Sequence, residues 1–244
     1  MRLTRCPVAL PLQPGQTLAL PEDAANHLVR VMRLREGDAC VLFNGDGSDY
    51  AATLLAVGKR EVQVRIDAAR ALDNESPLAI TLLQGIARGE KMDLILQKAT
   101  ELGVTAIIPV NAERTEVKLD AARAEKRLAH WRSVVGAACG QSGRARIPAL
   151  SPPQALAAAA AALPAQSLRL TLDPLGEHRL SALPPAPAGG VVIAIGPEGG
   201  WSPRDRQQLG DAGFQGLQLG PRILRTETAG LAAIAALQAR LGDL

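Results

Sequence analysis

The chain has 244 residues, 47% of them apolar, with 27 Lys and Arg against 24 Asp and Glu for a net charge of +3. That supports one large domain, or a small one plus a medium one, with a well-buried core. No apolar run approaches the ~20 residues needed to cross a bilayer, and the proline-broken N-terminus does not read as a signal peptide, so no membrane association and a cytoplasmic location are expected.

The first ~70 residues read as short strands and turns around one helix. Strands are expected at Thr17–Leu20, Ala39–Asn44, Asp49–Val57 and Glu61–Ile66. Turn signals separate them at Pro14-Gly15, Glu36-Gly37-Asp38, Asn44-Gly45-Asp46-Gly47 and Gly58-Lys59. Between the first two strands, Glu22–Leu34 places Leu28, Val31 and Met32 on one helical face, so a small β-barrel with one helix is expected. The polar stretch Ala71–Pro77 marks a domain boundary, drawn after Leu72 to give domains 1–72 and 73–244.

Beyond it the rhythm becomes strand–helix–strand. Leu78–Gln84 and Val104–Val110 are strand-like, and Glu90–Leu102 is helical, with Gly103 where a helix C′ residue belongs. Such βαβ units build parallel sheets covered on both faces. Further helices are expected at Ala121–Cys139, with a basic outer face, at the alanine-rich Ala155–Leu163 and at Thr226–Leu241. Strands are expected at Ser167–Leu172, Gly190–Ile195 and Gly216–Leu219.

Cys6, Cys40 and Cys139 form no C-x-x-C pair and are not joined by His27, His130 or His178, so neither a disulfide framework nor a metal site is expected. Arg2, Arg5, Arg30, Arg33 and Arg35, and later Arg123, Lys126, Arg127, Arg132, Arg144 and Arg146, cluster in ways that permit nucleic-acid binding. With two Phe, two Trp and one Tyr, such binding would rest on phosphate contacts more than on base stacking.

Three segments carry candidate chemistry. In Val191–Pro203 an apolar strand runs into Ile195-Gly196-Pro197-Glu198-Gly199-Gly200 and then a helix start, with Ser202 as N-cap, Pro203 at the first helical position and Asp205 in the first turn. Glycines there let backbone approach a ligand beyond the carboxyl end of a strand. The spacing matches neither the P-loop nor the dinucleotide fingerprint. A tight strand-to-helix turn would explain this run equally well. The second segment, Leu219–Gly230, ends another strand in a loop holding Arg222, Arg225, Glu227, Thr226 and Thr228. Thr226 reads as the N-cap of the last helix, but two arginines in an apolar turn are hard to explain structurally. In the third segment, Gln84–Asp93, Arg88 and Lys91 could meet phosphate at a helix start.

Taken together, Gly89-Glu90-Lys91-Met92-Asp93, Gln97–Val104, Ile195–Trp201 and Leu219–Ala229 resemble the ribosomal small subunit methyltransferase E family of 16S rRNA uridine-N3 methyltransferases, of the SPOUT class. The segment His27–Asp38 also looks like that family's N-terminal domain. The resemblance implies a small PUA-like N-terminal β-barrel and an α/β C-terminal SPOUT domain with a mostly parallel sheet and a trefoil knot. It also implies a homodimer acting on 16S rRNA in the small ribosomal subunit, at the decoding region. S-adenosylmethionine would be held by Ile195, Gly196, Pro197, Glu198, Gly199, Gly200, Leu219, Gly220, Ile223, Leu224, Thr228 and Ala229. His27, Arg30, Arg33, Arg35, Arg88, Lys91, Gln141 and Arg144 are the RNA-contact candidates. Arg225 and Arg222 are the candidates for stabilising a developing uracil anion, with the base left open between Glu227, Glu198 and water. One departure stands out: the family pattern has Glu where this chain has Gly140. Two rival readings are a SPOUT enzyme acting elsewhere on rRNA or tRNA, including a ribose 2′-OH, and a non-catalytic RNA-binding assembly factor.

Overall fold

Along Val62–Ala71, Val62, Val64 and Ile66 are buried while Gln63 and Arg65 face solvent, the period-two pattern of a half-covered strand. This strand belongs to a computed structural model that describes residues 3–58, 61–117 and 120–244. Arg2 and the Lys59 half of the Gly58-Lys59 turn lie outside the described residues. The chain divides into two units: the stretch up to Glu75 together with Val135–Ile147, and Ser76–Val134 together with Pro148–Leu244. A linear boundary leaves out the return of residues 135–147 to the first unit.

The first unit holds strands β1 (Arg5–Pro7), β2 (Thr17–Ala19), β3 (Ala39–Phe43), β4 (Ser48–Val57) and β5 (Val62–Ala71) in the order β1-β3-β4-β5-β2. Only β1–β3 is parallel. Leu28, Leu42, Leu54, Val64 and Ile66 are fully buried at its centre, each contributing roughly 1.5–3 kcal/mol of apolar burial. The short β1 was not anticipated, because a Cys-Pro pair carries no strand periodicity.

The expected helix differs. Helix α1 (Glu22–Ala25) widens into a π-helical turn over Asn26–Val31, marked by the bond from Met32 N–H to His27 O at 2.9 Å. The wider turn breaks the 3.6 period. Leu28 is buried and Val29 and Leu34 pack on the core, but Val31 and Met32 are 66% and 44% exposed. The face expected from Leu28, Val31 and Met32 is therefore not the buried one. Arg33 then turns the chain in the left-handed region (φ 60).

Residues 135–147 contribute to the same unit. The Arg5 guanidinium pairs with Asp49, donates to Cys139 O (3.0 Å) and Arg144 O (3.2 Å), and lies 4.8 Å from the Phe43 ring centroid. A Cβ added at Gly140 would sit 3.1 Å from Arg5 O, so the family's glutamate would crowd this backbone approach.

The second unit is a parallel sheet. Its strands are β6 (Ile80–Gly85), β7 (Ala106–Asn111), β8 (Ala149–Leu150), β9 (Gln154–Ala155), β10 (Leu168–Leu172), β11 (His178–Arg179), β12 (Val191–Ile195) and β13 (Gln215–Gln218). The order is β11-β13-β10-β12-β6-β7-β8, with β9 also on β7. All of β12 is buried, as a central parallel strand covered on both faces requires. Helices α2 (Glu90–Glu101) and α6 (Thr226–Leu241) pack together, and α6 also packs on β12. Helices α4 (Leu156–Ala161) and α5 (Pro203–Asp211) bury Leu156, Ala159 and Leu209 in a cluster with Leu83, Val192 and Ala194. The long helix α3 spans Ala121–Ser142. Gly103 takes φ +88 at the C-terminus of α2, as its position anticipated. The two-residue strands β8, β9 and β11 exist only through their neighbours' hydrogen bonds and have no signature of their own.

Candidate active site

Strands of a parallel sheet end on one edge, where loops are free to bind. At this edge the glycine-rich turn after β12 approaches β6 closely. A Cβ at Gly85 would fall 2.5 Å from Pro197 N, so only glycine permits that approach. Ser202 and Asp205 form a capping box at the start of α5, with Asp205 N–H donating to Ser202 Oγ and Ser202 N–H to Asp205 Oδ2, both at 3.0 Å.

Thr226 acts differently from the expected N-cap. Arg225 occupies that position, and Thr226 is the first helical residue. Its buried hydroxyl donates to Gly196 O at 2.6 Å and accepts from Gln84 Nε2 at 3.1 Å. A strand, the glycine loop and the arginine loop are thereby tied at one atom.

These loops surround a cavity of about 600 Å³, a size suited to a small organic cofactor. It is lined by Ile195, Gly196, Pro197, Glu198, Gly200, Leu219, Gly220, Arg222, Ile223, Leu224, Arg225, Glu227 and Ala229, together with Arg88 and Lys91. Gly199 and Thr228, expected among the cofactor residues, do not line it. Gly199 O instead accepts from Arg114 Nη1 at 3.1 Å, and Thr228 is exposed with its N–H donating to Arg225 O.

The charge layout is specific. Lys91 Nζ lies 3.4 Å from Glu198 and 3.8 Å from Glu227. Arg88 pairs with Glu116 at 2.8 Å, and its backbone N–H donates to Glu198 Oε1 at 3.1 Å. Arg88 and Lys91, expected as phosphate contacts, are thus engaged with carboxylates at the cavity. Burial alone would raise the Glu198 carboxyl. Backbone N–H groups of Arg88 and of Glu198 itself, with Lys91, outweigh that and hold it below its ordinary value. Arg222 and Arg225 are exposed and, among the described residues, form no ion pair, while Ile223 between them is 87% exposed. They are two uncommitted cations at the mouth.

Asp173 and Arg206, paired at 3.4 Å, also line the cavity, as do Leu172, Pro174 and Trp201. These were missed. The Asp-Pro step after β10 was an available signal for Asp173. The other RNA candidates lie in the first unit. His27, Arg30, Arg33, Arg35 and Gln141 are exposed. Arg144 is a correction: it is buried and its guanidinium is committed to Glu75 at 2.5 and 3.1 Å, which removes it from the accessible surface.

Residues 74–238 match the family described as RNA methyltransferase domain, and residues 20–67 the RNA methyltransferase PUA domain. The ribosomal RNA small subunit methyltransferase E of Buchnera aphidicola subsp. Schizaphis graminum is 31% identical over 243 residues, 100% of this chain and 98% of that protein. The chain belongs to the ribosomal RNA small subunit methyltransferase E family. The Bacillus subtilis member is 30% identical over 236 residues, 93% of this chain and 91% of its own. Among solved structures, the family member from Neisseria gonorrhoeae, bound to S-adenosylmethionine, is 42% identical with a TM-score of 0.91 over 100% of both chains. A Legionella pneumophila methyltransferase with the same cofactor bound is 39% identical, with a TM-score of 0.95 over 100% of both chains. Membership in this family makes the parallel-sheet unit the methyltransferase domain and the N-terminal sheet the PUA-like unit.

Proposed function

We propose that this chain transfers a methyl group from S-adenosylmethionine to N3 of a uridine in the decoding region of 16S rRNA, within the small ribosomal subunit. The observation that carries the reading is one cavity shared by the glycine-rich loop after β12 and the arginine-bearing loop before α6.

The cavity suits the cofactor. Its volume is adequate, and a Cβ at Gly200 or Gly220 would meet nothing within 4 Å, so the backbone there borders open space. Backbone of Ile195–Gly200 and Leu219–Leu224 would hold the cofactor, with nearby carboxylates matching its cationic groups. When bound, it supplies an electrophilic methyl on a positively charged sulfur.

The protein's part is positioning and charge. Uracil N3 carries a proton that must leave before nitrogen can take the methyl, and negative charge then spreads to the uracil oxygens. Arg225, with Arg222 beside it, supplies fixed positive charge for that anion. Holding the base at the cavity mouth makes the transfer effectively intramolecular, and the base leaves its stack to reach it. Glu198 is held ionised by its donors and serves as an anchor. Glu227, whose shielded Oε2 has no hydrogen-bond partner among the described residues and faces Lys91 Nζ at 3.8 Å, is the carboxylate free to take the proton, with water as the alternative.

The family reading further includes a knotted second unit, a homodimer and a cytoplasmic site of action. No helix among the described residues is long and apolar enough to cross a membrane.

Tritiated-methyl transfer to small subunits from cells lacking the activity, followed by nucleoside identification, tests the reading. Methyl on a ribose 2′-OH or on another RNA replaces it with a different target, and absence of cofactor binding by calorimetry leaves a non-catalytic RNA binder. Arg225→Ala is expected to lower transfer by about 10²–10³-fold with cofactor affinity unchanged; near-normal transfer removes Arg225 from this role.

A further inference from the structure

Helix α3 carries charges that the cavity does not use. Arg123, Lys126, Arg127 and His130 fall at i, i+3, i+4 and i+7, one face along about 10 Å of helix axis. All four are exposed, whereas the same turns bury Leu128 and Trp131 on another side. An acid stands at each end of the stripe. Asp120 is 3.3 Å from Arg123, and Asp93 is 2.7 Å from His130 Nε2. Between them, Lys126 and Arg127 have no ion-pair partner among the described residues. Elsewhere in this unit Arg88, Lys91, Lys98 and Arg206 each face a carboxylate, while Arg222 and Arg225 at the cavity do not.

Like charges at i, i+3 and i, i+4 weaken a helix by a few tenths of a kcal/mol per pair. Arg123 with Lys126 and Arg127 makes two such pairs, and the one nearby glutamate, Glu125, points off the stripe. A bound polyanion relieves that repulsion. Guanidinium forks and an ammonium match phosphate oxygens. No large apolar side chain of α3 is exposed, so the face lacks the apolar centre of a protein interface.

We propose that this face of α3 is a second RNA-docking surface, which grips backbone phosphates of the substrate at a distance from the reacting base. It rests on the RNA methyltransferase reading above and adds to the exposed basic residues of the first unit. Contacts of this kind fix register on the RNA without reading sequence.

The test combines Arg123→Ala, Lys126→Ala and Arg127→Ala in the full chain and measures small-subunit binding by filter retention across a salt series, alongside transfer kinetics. Expected are an affinity at least ~10-fold weaker near 0.15 M salt, a log–log salt slope shallower by about 2–3, and a KM that rises while kcat stays within about twofold. Cofactor affinity and the melting midpoint report that the variant is folded. Arg132→Ala removes the same kind of charge from the same helix, about 180° around from Arg123, and is expected to change neither affinity nor slope. The inference is overturned if the triple variant binds like wild type, if Arg132→Ala matches its effect per charge, or if the variant changes oligomeric state with RNA affinity intact. Because binding is read directly, wild-type binding without methyl transfer would count against the proposed reaction and leave this surface standing.

Discussion

The hydroxyl of Thr226 makes two hydrogen bonds that no apolar side chain of the same shape can replace. Thr226→Val keeps the β-branched volume but leaves Gly196 O and Gln84 Nε2 without that partner in a buried setting. A loss of about 1–3 kcal/mol of stability is expected, together with weaker binding of S-adenosylmethionine, because the atom lost ties both cavity loops together. Chemical denaturation and calorimetry check this, and a variant as stable as wild type would show the tie to be dispensable. The same residue shows what sequence can and cannot reveal. A threonine before an apolar helix reads as an N-cap from local chemistry alone, yet its partners here lie 30 and 142 positions away. Arg144 was misplaced for the same reason, since its burial against Glu75 is decided by the fold.

At the scale of elements, features set by neighbouring residues were legible. The start of α5 is one: Ser202, Pro203 and Asp205 satisfy the first-turn donors and fix φ without help from elsewhere. Ser202→Ala is expected to cost about 1 kcal/mol, seen as a lowered denaturation midpoint, while Arg204→Ala on the exposed side of the same turn leaves the midpoint unchanged. The apolar run of β12 was legible too, because full burial imposes an unmistakable composition. The π-helical turn over Asn26–Val31 was not. Its extra residue per turn is chosen by how the first unit packs, and no propensity announces it. Of the cavity, the two loops rich in glycine and arginine were legible. Which of their residues face inward was not: Gly199 and Thr228 lie off the cavity lining, while Asp173 and Arg206 are on it.

At the scale of the whole molecule, all three cysteines are buried in the first unit. Burial pushes the Cys6 and Cys40 thiols up to about 12 and that of Cys139 up to about 11. At pH 7 such thiols are thiolate in only about one molecule in 10⁴–10⁵, against a few per cent for a free cysteine. A colorimetric thiol reagent is therefore expected to leave the native protein unlabelled at neutral pH and to count three thiols once that unit opens. Early labelling of even one thiol would contradict the packing around Arg5 and Phe43.

Both tryptophans, Trp131 and Trp201, are buried in the other unit. The chain thus carries two built-in reporters with no overlap: sulfur chemistry for one half and indole emission for the other. A single unmodified sample, followed by both signals through one denaturant series, would give each half its own midpoint without cutting the chain or attaching a dye.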